Sequence, residues 1–229
     1  MCGRYTLRAP DRIRLRGFDA SLFLPSIEPR YNIAPSQPVI AVRRKGDEHE
    51  LSWLVWGLIP NWSTSAKGFI NARAETLEDR ASFSESFHRR RCLIPADGFY
   101  EWKKEGKSKQ PYYFQLQDGA PFAFAGIWDE WRKDGVSVNS CAIITTTPNE
   151  LLASIHDRMP VILPPEANDA WLDPKAPTRV LTELLSAYPA AAMKSYAVNG
   201  DVNQTKVDDA HLVEPVAAAL STTPTMFDL

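Results

Sequence analysis

Three cysteines, four histidines and no apolar run approaching eighteen residues set the first limits on this 229-residue chain. Cys2, Cys92 and Cys141 are too few and too scattered for a disulfide framework or a zinc set. Neither C-x-x-C nor H-E-x-x-H occurs, so no metal and no cofactor are expected. Nothing is long and apolar enough to span a membrane, and Arg4 and Arg8 stand where a signal peptide needs apolar residues. A reducing, cytoplasmic setting is expected. No repeat, low-complexity tract or Gly/Ser-rich linker divides the chain. With 44% hydrophobic residues it holds enough for one core, and a single domain over residues 2–220 is expected.

Net charge is only −2, yet it is unevenly spread. Residues 1–110 carry 19 Lys/Arg against 13 Asp/Glu; residues 111–229 carry 7 against 15. A basic face drawn from the first half suits an anionic polymer, provided the fold gathers those charges. Seven tryptophans exceed what the core needs. Trp62, in the loop Pro60-Asn61-Trp62-Ser63-Thr64, is the candidate wedge or base-stacking surface.

Short apolar runs broken by Pro, Gly and Asn predict many strands. Val39–Val42 and Leu51–Trp56 read as a hairpin around Lys45-Gly46-Asp47. Further strands are expected at Arg91–Ile94, stopped by Pro95, and at Gly98–Trp102, Tyr112–Leu116, Phe122–Trp128, Val138–Thr146 and Met159–Leu163. Ser82-x-x-Glu85 has capping-box spacing, with Phe83 and Phe87 on one face. Thr147-Pro148-Asn149-Glu150 reads as a cap, a first-turn proline and an acidic third residue, starting a helix to about Ile155. Pro165–Leu172 and Thr178–Tyr188 are expected as helices, the latter with Val180, Leu181, Leu184 and Leu185 as its apolar stripe. Regular strand–helix alternation is missing, which leaves an α+β class rich in antiparallel strands.

Chemistry concentrates first at the amino end. Small Gly3 follows Cys2, and Met1 is removable before a small second residue. Cys2 would then carry a free α-amine, with a reference pKa of about 7.7–8.0, beside a thiol of about 8.5. Such a pair condenses with an aldehyde to an imine and closes to a thiazolidine; it can also attack an amide carbonyl. Three polar clusters adjoin strands: Asn71-Ala72-Arg73-Ala74-Glu75, Pro95–Trp102 and Ile155-His156-Asp157-Arg158-Met159-Pro160. Glu101 alternates onto the face of Phe99, so it is either solvated or pocketed with a raised pKa. His156 is a proton carrier or a structural hydrogen-bonder. Asn71 orients a ligand or turns the backbone.

The segments CGRY at 2–5, YNIAPSQ at 31–37, WGLIPNW at 56–62, INARAET at 70–76 and RCLIPADGFYEW at 91–102 closely resemble the SOS-response-associated peptidase (SRAP) family. FAGIW at 124–128, AIITTTPN at 142–149, IHDRMPVIL at 155–163 and VNGDVN at 198–203 continue the likeness to about residue 215. The resemblance implies a compact α+β domain with a distorted, largely antiparallel barrel-like sheet, peripheral helices and a positively charged channel. It implies a shield for abasic sites in single-stranded DNA, including sites at junctions with duplex. Cys2 matches an exposed nucleophile that forms a thiazolidine with the abasic sugar. Asn71 positions ring and amine, Glu101 assists proton transfer, and His156 opens the sugar and reverses the linkage. Arg73 and Arg158 line a phosphate groove, joined by Gly3, Arg4, Asn32 and Pro35. Autocatalytic loss of Met1, weak lyase activity, a monomeric state and association with the bacterial nucleoid on damage are implied as well. Arg89-Arg90-Arg91 is an outer phosphate contact or, as favoured, a solvated helix end. The alternatives are an N-terminal-nucleophile amidohydrolase or peptidase, and a non-catalytic single-stranded nucleic-acid binding module.

Overall fold

A computed structural model describes residues 2–15, 18–19 and 27–216. Met1 and positions 217–220 of the expected domain lie outside the described residues. The strands are β1 (Tyr5–Leu7), β2 (Arg14–Leu15), β3 (Phe18–Asp19), β4 (Arg30–Ile33), β5 (Pro38–Lys45), β6 (Glu48–Trp56), β7 (Asn71–Arg73), β8 (Arg91–Ala96), β9 (Gly98–Glu105), β10 (Ser108–Leu116), β11 (Phe122–Lys133), β12 (Val136–Thr146), β13 (Met159–Pro160), β14 (Ile162–Leu163) and β15 (Met193–Ala197). Four short helices flank them: α1 (Ser84–Arg89), α2 (Glu150–Ala153), α3 (Asn168–Leu172) and α4 (Thr178–Glu183).

One sheet runs β12-β6-β5-β8-β11, and β11 pairs back onto β12, with Trp128 opposite Cys141. These five strands therefore close into a barrel, which removes their open edges. Its pairs are antiparallel except β12–β6, where Cys141 faces Trp56 in parallel register. The short β7 extends the same parallel side, with Asn71 opposite Ile143 and Arg73 opposite Thr145. The second sheet, β15-β10-β9-β1-β4, packs on the barrel. Tyr5 of β1 meets Trp56 and Phe124 edge-on at 5.3 and 5.7 Å, and Phe99 stacks on Phe114 at 5.1 Å. Each such ring removed from water stabilises by roughly 1.5–3 kcal/mol. The architecture is the expected α+β fold with a largely antiparallel barrel.

The β5–β6 hairpin forms as read, with Lys45 opposite Glu48 and Gly46 at φ 62°, the left-handed turn position glycine tolerates. Other boundaries move for identifiable reasons. Pro95 does not stop β8: it pairs with Ala123 beyond the last β5 partner, Leu93, where a missing N–H disturbs no second ladder. The Ser82 capping box does not form; Phe83 caps α1 by backbone alone, and Phe83 and Phe87 are both buried. The cap of α2 lies two residues past Thr147, at Asn149, whose side chain accepts from Leu152 N–H at 3.0 Å. That helix ends at Ala153 rather than Ile155. The region 165–172 splits into a 3-10 turn, Pro165–Ala167, and α3. α4 stops at Glu183, and Val180 faces solvent rather than the core. Met159–Leu163 is two strands, because Val161 donates to Ile144 O and accepts from Ala125 N, bridging β12 to β11.

β1 is held unusually firmly for a strand so near a chain end. Asp97, buried, accepts from Thr6 Oγ1, from the N–H groups of Arg8 and Ala9, and from Arg8 Nε at 3.1 Å. Thr6 Oγ1 also lies 2.8 Å from the Tyr113 hydroxyl. Gly98 permits this knot, since a Cβ there would fall 1.9 Å from that hydroxyl oxygen.

Candidate active site

Strand register assembles the site. β1 and β9 pair with Tyr5 opposite Phe99, and Tyr100 N–H donates to Arg4 O at 3.0 Å. Carried on toward the amino end, this register sets Gly3 opposite Glu101, so Cys2 and Glu101 become neighbours. From the barrel side β7 delivers Asn71, whose Nδ2 donates to Cys2 O at 2.9 Å. The connection after α2 brings His156, whose Nε2 lies 3.9 Å from Glu101 Oε2. Four residues spread over 155 positions thus converge on one point, and they are the four catalytic candidates of the sequence.

Their electrostatics favour proton transfer. Glu101 is 1% exposed, which excludes the solvated alternative. Burial pushes its carboxyl up to about 7. Burial lowers the His156 imidazole. The acid is thereby raised and the base depressed, the arrangement that keeps both usable near neutrality. Arg158 N–H donates to His156 Nδ1 at 3.0 Å. The same nitrogen lies 3.1 Å from Asp157 Oδ1 and 3.3 Å from Arg158 O, both acceptors, so Nδ1 accepts in one protonation state of the ring and donates in another.

Cys2 differs from expectation. It is fully buried within the main hydrophobic cluster rather than exposed, and burial followed by the Glu101 charge pushes its thiol well up. With Met1 retained, the Cys2 nitrogen is an amide. Its Sγ points to Arg4 O at 3.9 Å.

The groove residues divide. Arg73 is exposed on β7, beside a cleft of about 210 Å³ lined by Phe69, Thr76, Arg80, Ser82 and Phe83. Trp62 is 61% exposed on a loop pinned from beneath. There Asn61 N–H donates to Asp129, Trp131 Nε1 to Ser63 O and Lys133 Nζ to Thr64 O. Pro35 is half-buried. Gly3 is half-buried too, and its carbonyl accepts from Arg4 Nη1 at 2.9 Å. The buried Nε of Arg4 has no acceptor among the described residues. Arg158 reaches the same region but is held bidentately by Glu75.

Asn32 is a correction. It is completely buried, and its Nδ2 donates to the carbonyls of Val202, Gln204 and Val207 at 3.2, 3.1 and 2.8 Å. It clamps the 202–207 loop onto β4 and has no surface to offer a ligand. In the arginine run at 89–91, Arg89 is exposed at the end of α1, as favoured, and the other two are structural. Arg90 pairs with Glu85 and Asp129, and buried Arg91 donates to the carbonyls of Phe87, His88, Trp171 and Asp173. The sequence reading missed Glu75 as the partner of Arg158. It also missed Thr145, buried with an unpartnered Oγ1 where Arg73 and Arg158 meet. Neither residue type announces such a role, and only β7–β12 pairing brings them in. No helix is long and apolar enough to cross a membrane among the described residues.

The sequence profile of the family described as SOS response associated peptidase (SRAP) matches residues 1–205. The chain is 44% identical over 222 residues to abasic site processing protein YoqW of Bacillus subtilis, covering 93% of this chain and 99% of that protein. It is 31% identical over 223 residues to abasic site processing protein YedK of Escherichia coli, covering 94% and 100%. Among solved structures, a protein from Bacteroides thetaiotaomicron superimposes with TM-score 0.81 at 27% identity, covering 94% of this chain and all of that one.

Proposed function

The chain belongs to the SRAP family, and from that premise we propose that it is an abasic-site processing protein that shields damaged single strands through a covalent bond to Cys2. The observation that carries the reading is the convergence of Cys2, Asn71, Glu101 and His156 at one point beside an arginine-bearing groove. Loss of Met1 turns the Cys2 nitrogen into an amine. Asn71, bonded to the Cys2 carbonyl, fixes that residue's orientation. His156 in its protonated form gives the Nε2 proton to the ring oxygen of the closed sugar while the Glu101 carboxylate takes the proton of the anomeric hydroxyl, and the aldehyde opens. The amine adds to the aldehyde carbon. Glu101, whose carboxyl is pushed up to about 7 by burial, gives its proton to the departing hydroxyl, and water leaves with formation of the imine. The thiol then adds across the C=N bond. Its proton passes by way of the Glu101 carboxylate to the ring nitrogen. The net change is one water lost and one C–N and one C–S bond made.

The imine stage also acidifies the neighbouring carbon, which gives a minor strand-cleaving lyase reaction. Removal of Met1 is the one proteolytic step required. The amidohydrolase alternative would be marked by an oxyanion hole beside Cys2 and by turnover on amide substrates. The protein acts as a monomer in the cytoplasm and joins the nucleoid on damage. Strands are held through phosphates and stacking on Trp62, with little regard to sequence and with junctions to duplex accommodated.

The test is incubation of the Met1-free protein with an abasic single strand, read on a denaturing gel and by mass spectrometry. A stable band whose mass is the sum of both partners minus one water is expected. No mass gain rejects the reading. Arg73→Ala should weaken binding about equally for every sequence and lower the salt slope by roughly 0.7, the value for one single-strand phosphate contact. Loss confined to particular sequences would contradict a phosphate role.

A further inference from the structure

Arg158 does not present an open guanidinium to the groove. Its Nη1 and Nη2 donate in parallel to Glu75 Oε1 and Oε2 at 2.7 and 2.8 Å. Nη2 also donates inward to Thr145 O at 2.7 Å. The Glu75 side chain is 46% exposed and that of Arg158 only 11%. The arginine is therefore fixed from within, while the carboxylate covers its outer edge from the solvent side. Thr145 is also the register partner of Arg73, so β7 brings one arginine and the connection before β13 the other to the same place. Two cations and one carboxylate share it.

We propose that Glu75 is a resident stand-in for a DNA phosphate: it occupies the outer edge of Arg158 in the free protein and is displaced when a strand's phosphate takes that edge. Glu75 thereby sets how tightly any single strand is held. The proposal rests on Arg73 and Arg158 being phosphate contacts, as the proposed function has it. Carboxylate and phosphate both offer a planar guanidinium two oxygens at matching separation, so one can replace the other without moving the arginine. The bond to Thr145 O keeps the fork aimed after Glu75 departs. Glu75 stays ionised into acid because its hydrogen bond to Arg158 lowers its pKa, so the stand-in persists wherever DNA is bound. Arg158 also donates its backbone N–H to His156 Nδ1, which places the exchange beside the residue that opens the sugar. The effect is selectivity: an intact strand must compete with Glu75 on every encounter, whereas a strand captured at Cys2 is held covalently.

The experiment measures binding of an intact oligothymidylate, which has no aldehyde, by fluorescence anisotropy across a salt series. The wild type is compared with Glu75→Gln, Glu75→Asp and Arg158→Ala. Glu75→Gln is expected to bind about 3–10-fold tighter, with a salt slope steeper by about 0.7. Glu75→Asp keeps the charge but is one methylene too short for the two-point grip, and should also tighten binding, by less. Tightening in Gln alone would mean simple loss of negative charge and would overturn the proposal. Unchanged or weaker binding in Glu75→Gln would overturn it too, making Glu75 a mere buttress. Arg158→Ala should weaken binding. If it does not, the phosphate-groove reading falls with the proposal; if it does while Glu75→Gln fails to tighten, only the proposal falls.

Discussion

Replacing Cys2 with alanine should abolish the heat-stable protein–DNA adduct while leaving reversible binding of abasic strands nearly intact. The Met1-free alanine protein keeps its amine, so an imine still forms and is trapped by borohydride. Without a reductant it hydrolyses. Added free thiol should not restore the stable product. The wild-type sulfur attacks from within the same residue, and well-oriented intramolecular reactions reach effective concentrations on the order of 10⁵ M or more. Millimolar external thiol cannot approach that. The expected fall in stable adduct exceeds about 10²-fold by densitometry. Cys2→Ser should behave like alanine, since a hydroxyl closes the ring far less readily than a thiol. A protein that keeps Met1 should give no heat-stable product, because its Cys2 nitrogen is an amide and the five-membered ring cannot close. Adduct formation undiminished by Cys2→Ala would place the nucleophile elsewhere. Equal behaviour of intact and abasic strands would instead support the non-catalytic binding module.

Glu101→Gln should slow adduct formation by about 10²–10⁴-fold, the usual contribution of a positioned acid–base group. Single-turnover rates should show an inflection near pH 7 in the wild type, where the buried carboxyl titrates, and none in the variant. The same substitution should alter stability with a definite sign. The carboxyl is raised from 4.5 to about 7 on folding. Below pH 4.5 both folded and unfolded chains hold the proton. Between those values the unfolded chain releases it while the folded chain keeps it, so stability falls as pH rises. Above 7 the folded chain bears the full cost of a buried anion, on the order of 3 kcal/mol. Urea unfolding should therefore show Glu101→Gln gaining on the wild type between pH 5 and pH 8. His156, lowered by burial, acts in the opposite direction, which makes the difference between the two proteins the quantity to measure. A gap independent of pH would contradict the raised carboxyl.

What could be read in advance divides along a physical line. The β5–β6 hairpin was legible because Gly46 and alternation are local signals. Glu101 was legible as a choice, solvated or pocketed, because period-two alternation puts it beside Phe99; the tertiary fold made the choice. The core catalytic set rested on ordered family-like segments, and the fold brings its members together. Asn32 misled because it stands inside a matching segment, yet its three carbonyl acceptors lie some 170 residues onward. The Glu75–Arg158 pair spans 83 positions and depends on β7 lying parallel to β12. The barrel was legible only through the resemblance: β11 and β12 form a local hairpin across Asp134-Gly135, whereas the parallel β12–β6 pairing joins strands far apart in the chain. The α2 cap failed for a smaller reason: Asn149 and Thr147 are both good caps, and only geometry decides between them.

The knot of Asp97, Thr6, Arg8 and Tyr113 behind the second residue has a consequence for turnover. Chain ends ordinarily fray on fast timescales, and a nucleophile there would sample many orientations before each productive encounter. Here the adjoining strand is stitched between β9 and β4. The entropy of ordering the reactive tip is therefore lost once, when the protein folds, and not again at every collision with a lesion. Amide protons of Tyr5 and Leu7 should accordingly exchange with deuterium as slowly as those in the middle of the barrel.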